Sequence, residues 1–343
     1  MERFLNTLYI TTQKTYLHKK GEAVEIIFEK EVLAHIPLIT LDSIVCFGNV
    51  LASPFLLAAC AKYNVTISFL SKTGKYLARV QGSLSGNVLL RQAQYKLAED
   101  KTKAALVAKY FIIGKIANQK SCLLRALRDH AEKINAEKIQ TVVTRLNEQI
   151  KKVEAESDLE SLRGIEGAAS ELYFSVFNEL IVSQKDDFVF SGRNRRPPLD
   201  AVNALLSYVY TILYHDMISA LECTGLDAAV GFLHRARPGR LSLALDLIEE
   251  FRSFFADRLV LTLINRNEVC KNDFEKTASG AVMITNDARK KILNAYQKRK
   301  EIVLMHPYVE KRMHLAILFH TQARLLARYI RGDIDGYPVY LWK

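Results

Sequence analysis

The most restrictive stretch of this chain is residues 241–255, LSLALDLIEEFRSFF. Leu241, Leu243, Ala244, Leu245, Leu247, Ile248, Phe251 and Phe254 leave almost no solvated face on a helix, and such a helix has to be buried. Yet it carries Asp246, Glu249 and Glu250, at spacings of three and four that set Asp246 beside both glutamates. Desolvating a carboxylate is costly, and a neighbouring like charge adds repulsion unless a cation or proton compensates. Two compensators lie close in sequence. One is ion pairing with Arg235, Arg237, Arg240 and Arg252. The other is a metal ion, which would also recruit His234 and need a third ligand from elsewhere in the chain.

A length of 343 residues is ample for a large core and gives a prior of two domains. The formal net charge of +11 favours a polyanionic partner, nucleic acid before membrane. No run approaches the roughly 20 apolar residues of a membrane span, and the first residues lack a signal-peptide core. A cytoplasmic protein is expected. Cys46, Cys60, Cys122, Cys223 and Cys270 are scattered and never in a C-x-x-C pair, so they read as buried thiols rather than a disulfide framework or zinc finger.

The periodicity predicts an α+β chain, with a small amino-terminal β-sheet domain over 1–88 and a larger all-α domain over 89–343. Strand candidates are residues 5–10, 23–28, 36–47 and 65–70, with a helix after Ser53-Pro54 and a hairpin turn at 72–75. Helices are expected over 92–116, 121–134, 136–153, 199–221, 287–304 and 308–331, and another is expected to start at a Ser157-x-x-Glu160 capping box. Lysines on the middle helices, Lys115 among them, read as solvated charges able to track a phosphate backbone. Residues 273–285 read as an irregular or hairpin segment, His306, His314 and His320 as structural. The aromatic tail YPVYLWK is suited to docking on a surface or a partner.

In the helix after Ser157 the buried stripe Leu159, Leu162, Ala169, Tyr173, Val176, Leu180 is completed by Glu166, a carboxylate at a core position. Gly164 and Gly167 flank it, each costing the helix about 1 kcal/mol relative to alanine, as is tolerable where something approaches the backbone. Ser170 and Glu171 are free to face outward. The loop FVFSGRNRRPP clusters Arg193, Arg195 and Arg196, suited to bidentate phosphate contacts, and RARPGR forms a turn that brings His234 to the acidic helix.

Taken together, GIEGAAS around Glu166, RRPPLDAVNALLSYVYTILY, GLDAAVGFLH ending at His234, and RPGRLSLALDLIEEFR resemble the CRISPR adaptation integrase family, the universal endonuclease-like subunit that inserts spacers. LYITTQKTYLHKKGEAVEI and GYPVYLWK look most like its type I-C branch. The resemblance implies a magnesium or manganese ion held by Glu166, His234 and Glu249, with Asp246 an accessory acidic residue. It implies transesterification, in which the 3'-hydroxyl of a prespacer attacks double-stranded DNA at a CRISPR repeat. It also implies a homodimer, a small ferredoxin-like partner and, in this branch, an Fe-S nuclease. Arg163, Arg193, Arg195, Arg196, Arg237 and Arg240 are the expected DNA contacts. Two other readings stay open: a metal-dependent, structure-specific DNA nuclease, and a DNA-binding scaffold without chemistry.

Overall fold

The computed structural model describes residues 7–41, 43–63, 65–71, 76–80, 88–195 and 197–342. The amino-terminal part holds β1 (Thr7–Ile10), β2 (Thr15–Lys20), β3 (Ala23–Phe28), β4 (Glu31–Pro37), β5 (Ser43–Phe47), β6 (Val50–Ala52), α1 (Pro54–Lys62), β7 (Thr66–Leu70) and β8 (Tyr76–Val80). They form two sheets, in the orders β1-β5-β7-β8 and β4-β3-β2-β6. Strand alternation lets β5 serve two cores: Ile44 and Cys46 pack with Leu17, Val24 and Leu56, whereas Val45 and Phe47 join the helical core. The single run expected over 36–47 is broken by a 3-10 turn at Leu38–Thr40. Ser53 caps α1 by accepting from the Leu56 amide. The expected turn at 72–75 lies outside the described residues.

The helical part runs α2 (Val88–Glu99), α3 (Lys101–His130), α4 (Ala136–Ala155), α5 (Leu159–Ser175), α6 (Ala201–Cys223), α7 (Ser242–Phe251) and α8 (Arg258–Asn265). Two hairpins interrupt it: β9 (Phe274–Lys276) with β10 (Val282–Ile284), and, after α9 (Asn286–Lys300), β11 (Val303–His306) with β12 (Lys311–His314). The final helix is α10 (Leu315–Arg331). An amino-terminal β region followed by a mostly helical region is therefore the architecture expected from the sequence.

Four boundaries differ, each for a local reason. The break among the middle helices falls at Asp100, whose carboxylate accepts the Thr102 and Lys103 amides at 3.1 Å, so α3 continues unbroken past residue 120. The cap of α5 is Asp158 rather than Ser157, accepting from Ser161 at 2.8 Å. The 241–255 helix changes after Phe251 into a π-helical turn, Arg252–Asp257. The helix expected over 308–331 begins only at Leu315, because residues 311–314 pair with β11.

The surface on which the aromatic tail docks is that of its own chain. Tyr337, Tyr340 and Trp342 are buried, and the Trp342 amide donates to Asn118 Oδ1 at 2.8 Å. Gly114 on α3 makes room for it, since a Cβ there would collide with Val339. Cys46, Cys60 and Cys122 are buried as expected, whereas Cys223 and Cys270 are exposed.

A buried polar junction fastens the sheets to the helices. Asp216 on α6 and Lys300 on α9, each 2% exposed, pair at 3.1 Å, and Asp216 also accepts from Tyr296 (2.8 Å) and from Thr7 of β1 (3.3 Å). Two interior histidines set an acid limit on this packing. Burial pushes His215 and His320 down from 6.5 to about 4, with Arg79 adding to the first and Arg324 and Lys300 to the second. Between these values the unfolded chain binds protons that the folded one refuses. Their contribution is complete above pH 6.5 and lost as pH falls toward 4. The thermal midpoint should therefore drop between pH 7 and pH 5, and His320→Gln should remove part of that drop, on the order of 2 kcal/mol; an identical pH slope in the variant refutes this account.

Candidate active site

Helix α7 is buried as its sequence demands, and its three acids go to three different environments. Glu249, 2% exposed in its side chain, places Oε1 3.1 Å from Arg252 and 3.9 Å from His234 Nε2, and Oε2 2.9 Å from Lys115 Nζ. Lys115 also donates to Oε1 of Glu166 on α5, so its ammonium bridges the two carboxylates. Burial alone would raise Glu249, but Arg252, Lys115 and His234 outweigh it and hold the carboxyl down at about 2. In return Glu249 and Glu166 overcome the burial that would lower Lys115 and raise its pKa.

Asp246, fully buried, accepts the backbone amides of Phe232 (2.6 Å), Leu233 (3.0 Å) and His234 (2.9 Å) and contacts His234 Nδ1 at 2.7 Å. With the carboxylate serving as acceptor, Nδ1 is the donor, and Nε2 is the ring nitrogen that faces Glu249. Gly231 permits this close approach: a Cβ there would lie 2.6 Å from Asp246 Oδ2 and 2.7 Å from the Ser242 carbonyl carbon. Glu250 turns the other way, accepting from Gln322 (2.8 Å), the Tyr340 amide (2.9 Å) and the Tyr337 hydroxyl. Burial pushes it up to about 7 against those donors. Arg252 thus pairs with Glu249, not with Glu250.

Glu166, His234 and Glu249 line one cleft of about 690 Å³, together with Lys115, Arg193, Arg195 and Arg252. As the side chains stand, no three His, Cys, Asp or Glu among the described residues are grouped closely enough to hold a metal. The donor set nevertheless fits a hard divalent ion: two carboxylates, an imidazole whose Nε2 faces Glu249, and a buried Glu249 Oε2 that receives no well-directed hydrogen bond. In this structure Lys115 supplies the positive charge between the acids.

Lys115 is the residue that sequence reasoning missed. It is 5% exposed rather than solvated, and the signal was its place in FIIGKIANQ, where Phe111, Ile112 and Ile116 make that face of α3 core. Ser170 also faces the cleft, donating to Glu166 at 3.1 Å, instead of pointing outward. Gly167 lines the cleft, while a Cβ at either Gly164 or Gly167 would meet open space, so no neighbour presses on these backbones. Among the expected DNA contacts, Arg193 and Arg195 line the cleft, Arg193 being braced by Asn203 (2.6 Å) and Ser207 (3.1 Å). Arg163 is engaged by the Leu233 carbonyl at 2.6 Å and by Glu160. Arg237 is exposed on the turn beside the cleft, Arg240 is half-buried there, and Arg196 lies outside the described residues.

The sequence pattern of the family described as CRISPR associated protein Cas1 matches residues 8–298. The chain belongs to the Cas1 family. Over 343 residues, all of both chains, it is 51% identical to "CRISPR-associated endonuclease Cas1 1" of Chlorobaculum tepidum. Its Cas1 fold also superposes on a casposase bound to integration product, with a TM-score of 0.84 at 24% identity over 97% of this chain and 94% of that one. A chain of a Cas6-RT-Cas1–Cas2 complex gives a TM-score of 0.83 at 23% identity, covering 100% of this chain and 36% of that chain.

The glycines provide a paired test of this geometry. Gly231→Ala should destabilise the protein by about 2 kcal/mol through overpacking against Asp246. Gly164→Ala, where the added methyl meets open space, should leave stability unchanged or raise it by about 0.5–1 kcal/mol. Urea denaturation of both variants checks this, and equal effects would contradict the crowding at Gly231.

Proposed function

We propose that this protein is a metal-dependent DNA integrase and endonuclease of spacer acquisition, joining prespacer 3'-hydroxyl ends to a CRISPR repeat. The carrying observation is the convergence of Glu166, Glu249 and the forward Nε2 of His234 in a cleft whose wall holds Arg193, Arg195 and Arg252. Glu166, His234 and Glu249 would hold magnesium or manganese. When bound, the ion supplies Lewis-acid stabilisation of the charge that develops on phosphate and attacking or leaving oxygens. Asp246 is the positioning residue that fixes the His234 ring and its tautomer. Arg193 and Arg195 offer guanidinium donors to the DNA backbone, and Lys115 keeps Glu249 ionised in its buried position.

The proteins to which this chain is similar support the rest of the reading: an endonuclease, a casposase with its integration product and a Cas1–Cas2 assembly. On that basis the partners are double-stranded DNA, a second copy of the chain and a small ferredoxin-like subunit. The type I-C assignment, and with it an Fe-S nuclease, rests on the sequence resemblance. Residues 1–88 act as a dimerisation and support unit and 89–343 as the catalytic unit. No helix among the described residues is long and apolar enough to cross a membrane.

Manganese titration by calorimetry and a joining assay with labelled prespacer and a repeat-bearing plasmid test this reading. Glu166→Ala, His234→Ala and Glu249→Ala should each lower joining on the order of 10²-fold or more and weaken manganese binding. Cleavage without joining in the presence of the partner subunit points to a plain nuclease; equal, negligible manganese binding by all four proteins points to a scaffold. Separately, Arg237→Ala should reduce the slope of DNA affinity against salt by about 1 while leaving manganese affinity intact. An unchanged slope removes Arg237 from the contact surface.

A further inference from the structure

Outside the cleft, two guanidiniums lie over the tail tryptophan and a third, Arg299, lies over the Phe255 ring nearby. Arg258, at the start of α8, lies 4.4 Å from the Trp342 ring centroid and Arg125 of α3 lies 5.4 Å from it, while Phe254 stacks on the same indole at 6.1 Å. Arg299 of α9 donates to the Phe254 carbonyl at 2.7 Å, and its Nε has no hydrogen-bond partner although buried. Among the described residues no carboxylate lies within ion-pair distance of Arg258 or Arg299. Asp129 is shared between Arg125 at 3.1 Å and Arg128 at 2.9 Å. Burial pushes Arg299 down to about 9, and Arg258 and Arg125 add to that push.

Surface arginines are ordinarily solvated or paired with acids. Arg258 and Arg299 are instead fixed on aromatic rings and backbone, Arg125 has only an acid that it shares with Arg128, and the charges lie close together with a shortage of anions. Planar, weakly hydrated guanidiniums held in this way suit an oxyanion with several acceptor oxygens. Their place in the fold gives the anion a source. Helix α3 carries Lys115 into the cleft and Arg125 ten residues later, about 15 Å along its axis. At about 3.4 Å per nucleotide along one strand of B-form DNA, that is roughly four nucleotides.

We propose that Arg125, Arg258 and Arg299 form a phosphodiester subsite, separate from the metal-ligand cluster, that grips the backbone of the DNA strand entering the cleft. The subsite rests on the DNA reading given above and extends it to a second contact point. It is built on the far stretch of α3, on the residues that follow the π-helical turn and on α9, so that tail, active-site helix and DNA backbone meet at one place.

Single neutral methylphosphonate linkages, scanned along a labelled duplex, test it by fluorescence anisotropy with the full chain and with Arg258→Gln, Arg299→Gln and Arg125→Gln. One or two adjacent linkages should weaken wild-type binding about 5- to 10-fold, and the same linkages should have no further effect in the variants, whose salt slopes fall by about 1. The Arg125 side chain is 41% exposed, so its replacement keeps the test decisive should the Arg258 variant fold poorly. DNA binding with the wild-type linkage profile and salt slope in Arg125→Gln overturns this subsite alone. Absence of DNA binding by the wild type overturns both the subsite and the DNA reading beneath it.

Discussion

The Lys115 ammonium, set between Glu166 and Glu249, is the interaction on which the cleft depends. Three helices, α3, α5 and α7, each contribute one charged side chain to it, and those of Lys115 and Glu249 would not be tolerable at that depth alone. Arg252, at the start of the π-helical turn, adds a second cation on the other oxygen of Glu249. The balance is close to neutral but crowded with donors and acceptors. Lys115 stands between the two carboxylates proposed to hold a metal, so an ion bound there would compete with it for the same oxygens. The protein thus carries its own counter-charge for the two acids.

A second tier of contacts fixes orientation rather than charge. Asp246 spends its four hydrogen bonds on one strand of backbone and one imidazole, so the loop before the arginine turn has little freedom where His234 emerges. Gly231 is the geometric condition for this, and Arg163 fastens the same loop through the Leu233 carbonyl. Such a division, with one acid facing the cleft and its neighbour a turn earlier orienting His234, follows from helical spacing: positions 246 and 249 face the same neighbour from adjacent turns.

The sequence disclosed the parts of this site whose polarity conflicts with their surroundings. Three acids on an apolar helix and Glu166 in a buried stripe are visible because hydrophobic periodicity assigns them a core position that their chemistry resists. The β-then-α order was legible for the same reason of periodicity. Lys115 obeys the identical rule, but in a chain with so many lysines its position among Phe111, Ile112 and Ile116 was masked by the commoner solvated reading. The hairpin of β11 and β12 was hidden because its strands are short and flank helices with similar apolar content. The course of the tail depends on contacts with Gly114 and Asn118, more than two hundred residues away, which no local pattern encodes.

That tail has a consequence for how the molecule is made. The side-chain oxygens of Glu250, next to the ligand candidate Glu249, find their partners 72, 87 and 90 residues later in the chain. At translation speeds of about 5–20 residues per second, α7 is made several seconds before Gln322, Tyr337 and Tyr340 exist. During that interval nothing covers Glu250, and α7 cannot adopt its final depth without burying an unsatisfied carboxylate. Helix α7 therefore reaches its final buried setting only after residues 322–340 have been made.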